Sequence, residues 1–141
     1  MLQKPIQEAQ FEIGGEIGRR LAAVTRQWLL PAPYANPGML EMFRQRDREP
    51  SHDLVPWAGE FAGKYLTHAV QIWRLTRDTE LGEHLRWFVG ELIDLQDEDG
   101  YLGPWPEAHR LRKGAPNCPR SNDDPSEPWD AWGHYHAMVG L

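Results

Sequence analysis

The stretch PWAGEFAGKYLTHAVQIWRLTRDTELGEHLRWFVGELIDL, residues 56–95, decides the fold. Its first half carries apolar residues at spacings of three and four, which is the period of an amphipathic α-helix. These residues are Trp57, Phe61, Tyr65, Ala69, Ile72 and Leu75. Pro56 stands just ahead of them, and a proline in the first helical turn gives up no intrahelical hydrogen bond. The pattern predicts a helix of about five turns that Pro56 opens.

The second half of the stretch predicts another helix. Its stripe consists of Leu81, Leu85, Phe88, Leu92 and Leu95. The Asp78 carboxylate is well placed to cap the first turn, and Gly100 lies beyond the end. Because only a few residues around 77–79 separate the two helices, we expect them to pack as an antiparallel hairpin.

The remaining segments predict shorter helices and one long loop. Residues 11–30 repeat the helical spacing, and Pro31 ends that helix because it lacks an amide hydrogen. The stretch 39–46 predicts a short helix, and 128–141 predicts a last one. Prolines and glycines make 101–128 a loop. The apolar stripe of the first helix consists of Ile13, Ile17, Leu21, Val24 and Trp28. The stripe of the last helix includes Trp129, Trp132, His136 and Val139. The residues predicted to anchor the loop are Tyr101, Leu102 and Trp105. The predicted fold class is all-α, built from helical hairpins.

Composition excludes several classes of function. The formal net charge is −6 and no basic cluster is present, so neither nucleic acid nor an anionic membrane is an expected partner. No apolar run has the length of a signal peptide or a membrane span, so we expect a cytoplasmic protein. Cys118 is the one cysteine, which excludes an internal disulfide and a cysteine-based metal site. The seven tryptophans suggest a core, a ligand cleft or an interface, and we expect most of them in the core.

Two motifs invite a metal interpretation and neither supports it. His134 and His136 are two residues apart, so on a helix they point away from each other. We expect His134 to pair with Asp130 at the surface, whereas His136 suits either the core or a sugar pocket. Residues 97–100 resemble part of a calcium loop but lack its first and last ligands, and a helix end that turns at Gly100 explains them better.

Three stretches together resemble glycoside hydrolase family 127, the β-L-arabinofuranosidase family. They are PWAGEFAGKYL at 56–66, QDEDGYLG at 96–103 and WDAWGHYH at 129–136. Their order and spacing match the amino-terminal region of the family. The resemblance implies an (α/α)6 barrel of paired helices, with the sugar bound in the central cleft.

The resemblance also implies the chemistry of the complete enzyme. A cysteine nucleophile is held with other cysteines and a glutamate around zinc, and a separate glutamate acts as acid/base in a retaining mechanism. These groups belong to later parts of the barrel. We therefore expect residues 1–141 to form one truncated amino-terminal portion that has no catalytic residue, metal ligand or cofactor of its own and is inactive alone.

The same resemblance assigns the expected substrate-binding residues. The family histidine that touches the sugar corresponds to His136, with His134 as the fallback. Trp57, Glu60, Tyr101 and Trp132 are expected to complete the pocket for an arabinofuranoside-like carbohydrate.

Two alternatives remain open. The chain could be a non-catalytic helical module that binds sugar or protein, or a homo-oligomer that buries Met138, Val139 and Leu141. It could also belong to another sugar-processing barrel, such as an epimerase or an unsaturated-glycan hydrolase, since fold analogy does not fix the chemistry.

Overall fold

The computed structural model describes residues 12–50, 54–111 and 129–141, and every described element is helical. The helices are α1 (Gly15–Val24), which continues into a π-helical turn (Thr25–Leu29), α2 (Ala32–Ala35), α3 (Gly38–Arg44), α4 (Glu60–Thr76), α5 (Thr79–Asp94), a 3-10 turn (Glu107–His109) and α6 (Asp130–Gly140). The all-α prediction is confirmed. No helix in these ranges is long and apolar enough to cross a bilayer.

The predicted hairpin is confirmed. The Asp78 carboxylate accepts a hydrogen bond of 2.9 Å from the amide of Leu81, so it caps α5 as expected. Near the turn, Trp73 of α4 lies against Gly82 of α5. Farther from the turn, the ring centroids of Tyr65 and Phe88 are 4.8 Å apart. The two helices are therefore antiparallel, and the α5 stripe forms the centre of the hydrophobic core. Its buried members are Leu81, Leu85, Phe88 and Leu92.

Helix α4 begins later than the sequence predicts. The first helical residue is Glu60, whereas Pro56 and Trp57 lie in turns that precede the helix. Gly59 has a φ of +98°, a left-handed conformation that glycine adopts without a steric penalty. A Cβ atom at Gly59 would also lie 3.0 Å from the ring of Pro104. The chain therefore turns at Gly59, and the predicted role of Pro56 in the first turn is wrong.

The predicted apolar stripe of the first helix does not form its buried face. Ile17, Val24 and Trp28 are exposed, whereas Thr25 and Leu29 are buried. The π-helical turn closes with the bond from the Leu30 amide to the Thr25 carbonyl oxygen, 3.0 Å long. A π turn contains an extra residue, so the regular helical spacing assumed for the stripe does not hold there.

Helix α6 packs on α4 through its small residues rather than through its aromatic ones. Gly133 and Ala137 are buried, while the predicted core residues Trp129, Trp132 and Val139 are exposed. The predicted apolar face of this helix is therefore wrong. Large side chains lie outside because small ones allow the two backbones to approach closely.

The two helices run in the same direction. Trp132 contacts Glu60, the first residue of α4, and Gly140 lies against Leu66 near the middle of that helix. Helices α4, α5 and α6 thus alternate in direction, which is how paired helices stack in a helical toroid. Only Trp105 among the seven tryptophans is almost completely buried, so the expectation that most of them are core residues is wrong.

Candidate functional site

A close helix crossing positions the candidate site. A Cβ atom at Gly63 would lie 2.1 Å from the carbonyl oxygen of His136, so only glycine fits there. A Cβ atom at Gly140 would lie 2.7 Å from the carbonyl oxygen of Gly63. These contacts pack the second half of α6 against the start of α4, and Gly133 lies against Gly59 one turn earlier. Three of the predicted substrate-binding residues, Glu60, Trp132 and His136, meet at this end of the crossing.

Glu60 joins the two helices through its carboxylate. The residue is only 8% exposed. The indole N–H of Trp132 donates a hydrogen bond to one carboxylate oxygen, and the Lys64 ammonium lies 2.7 Å from the other. The Lys64 nitrogen also lies 5.8 Å from the centre of the Trp132 ring, within cation–π range. Both oxygens of Glu60 are therefore engaged, and Trp132 is held at its polar edge.

His136 lies beneath two aromatic rings. Its ring centroid is 4.6 Å from that of Trp132 and 5.1 Å from that of Tyr135, edge-on in both cases. Its Nε2 atom is buried and has no hydrogen-bond partner among the described residues. Trp132 and Tyr135 themselves are about half exposed. We call Glu60, Lys64, Trp132, Tyr135 and His136 the α4–α6 cluster.

Trp57 lies at the same end of the crossing, paired with another tryptophan. Its ring centroid is 5.8 Å from that of Trp129, and the planes are tilted by 51°. The Trp57 carbonyl oxygen accepts a hydrogen bond from the Glu60 amide, and the Pro56 carbonyl oxygen accepts one from the Trp129 amide. Trp57 precedes α4 in the sequence and Trp129 precedes α6. The Trp57–Trp129 pair therefore lies at the starts of the two helices that carry the α4–α6 cluster.

Tyr101 lies in a separate buried network centred on Asp130. The Tyr101 hydroxyl donates to the Asp130 carboxylate, at 3.1 and 3.0 Å from its two oxygens. The Leu111 amide donates to the same carboxylate at 2.8 Å. Asp130 and Trp132 are two residues apart on α6 and point to opposite sides. Tyr101 thus fixes the loop to α6, and the structure does not bring it to the α4–α6 cluster.

His134 belongs to the Asp130 network. Its Nδ1 atom lies 3.3 Å from the Asp130 carboxylate, so the predicted pair exists. The predicted surface position is wrong, because Asp130 is only 1% exposed. The hydrogen bond to Asp130 raises the pKa of His134 above its usual range, although burial acts against it. Sequence reasoning missed Asp130 as a central residue, because no local signal distinguishes a buried carboxylate in a first helical turn from an exposed one.

The acidic turn at 97–100 is explained by an arginine. Arg110 pairs with Asp97 and, at 3.1 Å, with Asp99, and its guanidinium lies 4.3 Å from the centre of the Tyr101 ring. The Arg110 guanidinium lowers the pKa of Asp97. Gly100 has a φ of +87°, in keeping with the predicted turn after α5.

The described ranges contain no group of three or more histidine, cysteine, aspartate or glutamate side chains that could hold a metal ion. Cys118, the one cysteine of the sequence, lies outside the described residues.

Comparison with known families adds one finding. The family model described as "Beta-L-arabinofuranosidase, GH127 catalytic domain" matches residues 15–140. No curated protein and no solved structure matches the chain. The matched range includes the whole α4–α6 cluster, the Trp57–Trp129 pair and the Asp130 network.

Proposed function

Because the chain belongs to the β-L-arabinofuranosidase (GH127 catalytic domain) family, we propose that it forms the amino-terminal portion of a glycoside hydrolase that removes terminal arabinofuranoside-like sugars with retention. The family domain is an (α/α)6 barrel, and the helical hairpins described above fit it. In this proposal the α4–α6 cluster is part of the wall that binds the sugar.

The observation that carries the proposal is the unpartnered nitrogen of His136 beneath exposed rings. A buried nitrogen without a partner costs free energy that a ligand hydroxyl would recover. Aromatic rings stack on the apolar faces of sugars, while a few polar groups orient the hydroxyls. The half-exposed rings of Trp132 and Tyr135 lie edge-on to the His136 ring, and in this proposal movement of the Tyr135 ring admits a sugar hydroxyl to the nitrogen.

Glu60 acts in this proposal as a positioning residue. Its two oxygens bind Trp132 and Lys64, so it holds the indole that stacks on the sugar. A retaining glycosidase needs two catalytic groups about 5 Å apart, and the α4–α6 cluster contains a single carboxylate. Glu60 alone cannot supply both the nucleophile and the acid/base, so at least one of them comes from outside the cluster. In this proposal both do, and we expect the chain alone to be inactive.

Zinc is expected in the complete family enzyme. The described residues offer no suitable group of ligands, so they do not fit a zinc site. The contribution of this chain is to bind and orient the sugar.

The proposal is tested by binding of methyl β-L-arabinofuranoside, measured by calorimetry. We expect saturable binding that Trp132→Ala weakens about tenfold, as expected for the loss of one stacked ring. Trp87→Ala is the matched control, because Trp87 is similarly exposed and stacks on Tyr34, away from the cluster. Equal affinities of the two variants would contradict the proposal.

Hydrolysis is measured separately with p-nitrophenyl β-L-arabinofuranoside. We expect no turnover by the 141-residue chain, and a measurable rate would refute the assignment of the catalytic groups to other residues.

A second candidate function is assembly through the carboxyl-terminal end of α6. Met138, Val139 and Leu141 are exposed, and adjacent exposed apolar residues are typical of interaction surfaces. If this surface binds another copy of the chain, sedimentation at increasing concentration reveals a dimer that Met138→Lys abolishes. A chain that stays monomeric at all concentrations would rule this out.

A further inference from the structure

A groove of about 460 Å³, open to solvent and called the cavity below, lies where the π-helical turn, α2 and the first turn of α4 meet. Its walls include the rings of Trp28, Pro31 and Phe61. Pockets that bind small molecules have volumes of a few hundred Å³ and are lined mainly by apolar and aromatic side chains. The size and the walls of this cavity are those of a site for one or two ring-sized groups.

The π-helical turn presents Trp28 to this cavity. Within the turn Leu29 enters the core and is 1% exposed, whereas Trp28 remains 52% exposed. A π turn is rare in proteins and frequently occurs at functional sites. Large exposed apolar side chains are also costly to leave in water. A ligand bound against Trp28 would account for both the π turn and the exposed indole ring.

Two amide side chains at the rim indicate what kind of ligand fits. Gln27 and Asn36 line the cavity, and their side-chain amides make no hydrogen bond to any described residue. Each amide offers both donors and an acceptor, which matches hydroxyl groups. None of the described side chains that line the cavity carries a charge, although a quarter of the chain is charged. The lining therefore favours a neutral polyhydroxylated ring over an anionic ligand.

We propose that this cavity is a second carbohydrate-binding site for a neutral sugar ring. Trp28 and Phe61 stack on the ring, and Gln27 and Asn36 bind its hydroxyls. Phe61 directly follows Glu60, so the cavity adjoins the α4–α6 cluster across the first turn of α4. The assignment does not depend on the role of Glu60 or Trp132, because none of its contacts involves them.

The test follows the indole N–H of Trp28 and the side-chain amides of Gln27 and Asn36 by nitrogen–proton NMR. The probe is β-L-arabinofuranobiose, with D-galacturonate as the anionic comparison. We expect saturable shifts of these signals with the neutral disaccharide, and at least tenfold weaker binding of the anionic sugar. The shifts at Trp28 and at Trp132 are recorded in the same titration, so each site is scored independently.

Two variants test whether the cavity itself binds. Ala35 is an exposed lining residue, and Ala35→Phe should occupy part of the cavity and obstruct a bound ring while keeping Trp28. We expect Ala35→Phe and Trp28→Ala each to weaken binding at this site about tenfold. Trp87→Ala should leave it unchanged. The proposal is overturned if Trp28 does not shift, or if Ala35→Phe binds as tightly as the unmodified chain.

The two proposals fail in different ways. Shifts at Trp28 without shifts at Trp132 support the cavity and contradict the α4–α6 cluster. Shifts at Trp132 alone overturn the cavity. Saturable shifts at Trp28 with an apolar peptide but not with the disaccharide would identify a protein-binding groove and would also overturn the sugar assignment.

Discussion

Replacement of Gly63 by alanine tests the close crossing that positions the α4–α6 cluster. The added Cβ atom would lie 2.1 Å from the carbonyl oxygen of His136 and 2.5 Å from the amide nitrogen of Ala137. Both are backbone atoms, so the clash is relieved only if α4 and α6 move apart. Such overpacking costs about 3 kcal/mol at the upper end of the usual range. Alanine returns about 1 kcal/mol as the better helix former, which leaves a net loss of about 2 kcal/mol.

The chain offers a matched control for this prediction. Gly90 also lies inside a helix, and a Cβ atom there would meet no atom within 4 Å. Gly90→Ala should therefore stabilise the protein by about 1 kcal/mol. The two variants should differ by about 3 kcal/mol in the free energy of unfolding. At roughly 4 °C per kcal/mol for this size, the Tm values should differ by about 12 °C.

The assay is urea and thermal unfolding followed by circular dichroism, with the indole signal of Trp132 as a local probe. In Gly63→Ala the Trp132 signal should shift, because separation of the helices removes its bond to Glu60. A Gly63→Ala variant as stable as Gly90→Ala, with an unchanged Trp132 signal, would refute the tight crossing.

Two further predictions concern single side chains. Histidine titration by NMR should give His134 a pKa above the usual 6.5, because it is hydrogen-bonded to Asp130. The pKa of His84 should lie below 6.5, because burial disfavours its charged form. The stabilisation from protonated His134 is then present below pH 6.5 and is lost as the pH rises through its raised pKa. Equal pKa values for the two histidines would contradict this prediction. Asp78→Ala should lower the free energy of unfolding by about 1 kcal/mol or more, because it removes both the cap of α5 and the ion pair with Arg26. Asp94→Ala, at the other end of α5, should cause no such loss, and equal urea midpoints of the two variants would disprove the cap.

The helices that local signals define could be predicted from the sequence. Asp78 caps α5 through a hydrogen bond between residues three apart, and the four buried leucine and phenylalanine residues keep one helical face. Both features depend on neighbours along the chain. The short helix α3 was predicted for the same reason, and its observed bounds are Gly38–Arg44. The start of α4 was misplaced because Gly59 adopts a left-handed conformation, which apolar periodicity does not reveal.

Part of the candidate site could also be predicted, and the rest depended on long-range packing. The structure brings Glu60, Trp132 and His136 together as one group, whereas Tyr101 joins Asp130 instead. Nothing local to Asp130 indicates that it would be buried with Tyr101, 29 residues away. The binding roles of these residues remain predictions that the titrations above address.

The α4–α6 cluster exists because the buried face of α6 is not the one that apolar periodicity predicts. Apolar periodicity assumes that the largest side chains form the buried face, yet α6 is buried through Gly133, Ala137 and Gly140, spaced four and three residues apart. That small-residue spacing is visible in the sequence, and the prediction from apolar periodicity overlooked it. Once backbones meet at Gly63, no room is left for indoles in the interface, so Trp132 points outward. The glycines that bring α4 and α6 together therefore also leave the Trp132 and Tyr135 rings at the surface, where the proposed sugar site needs them.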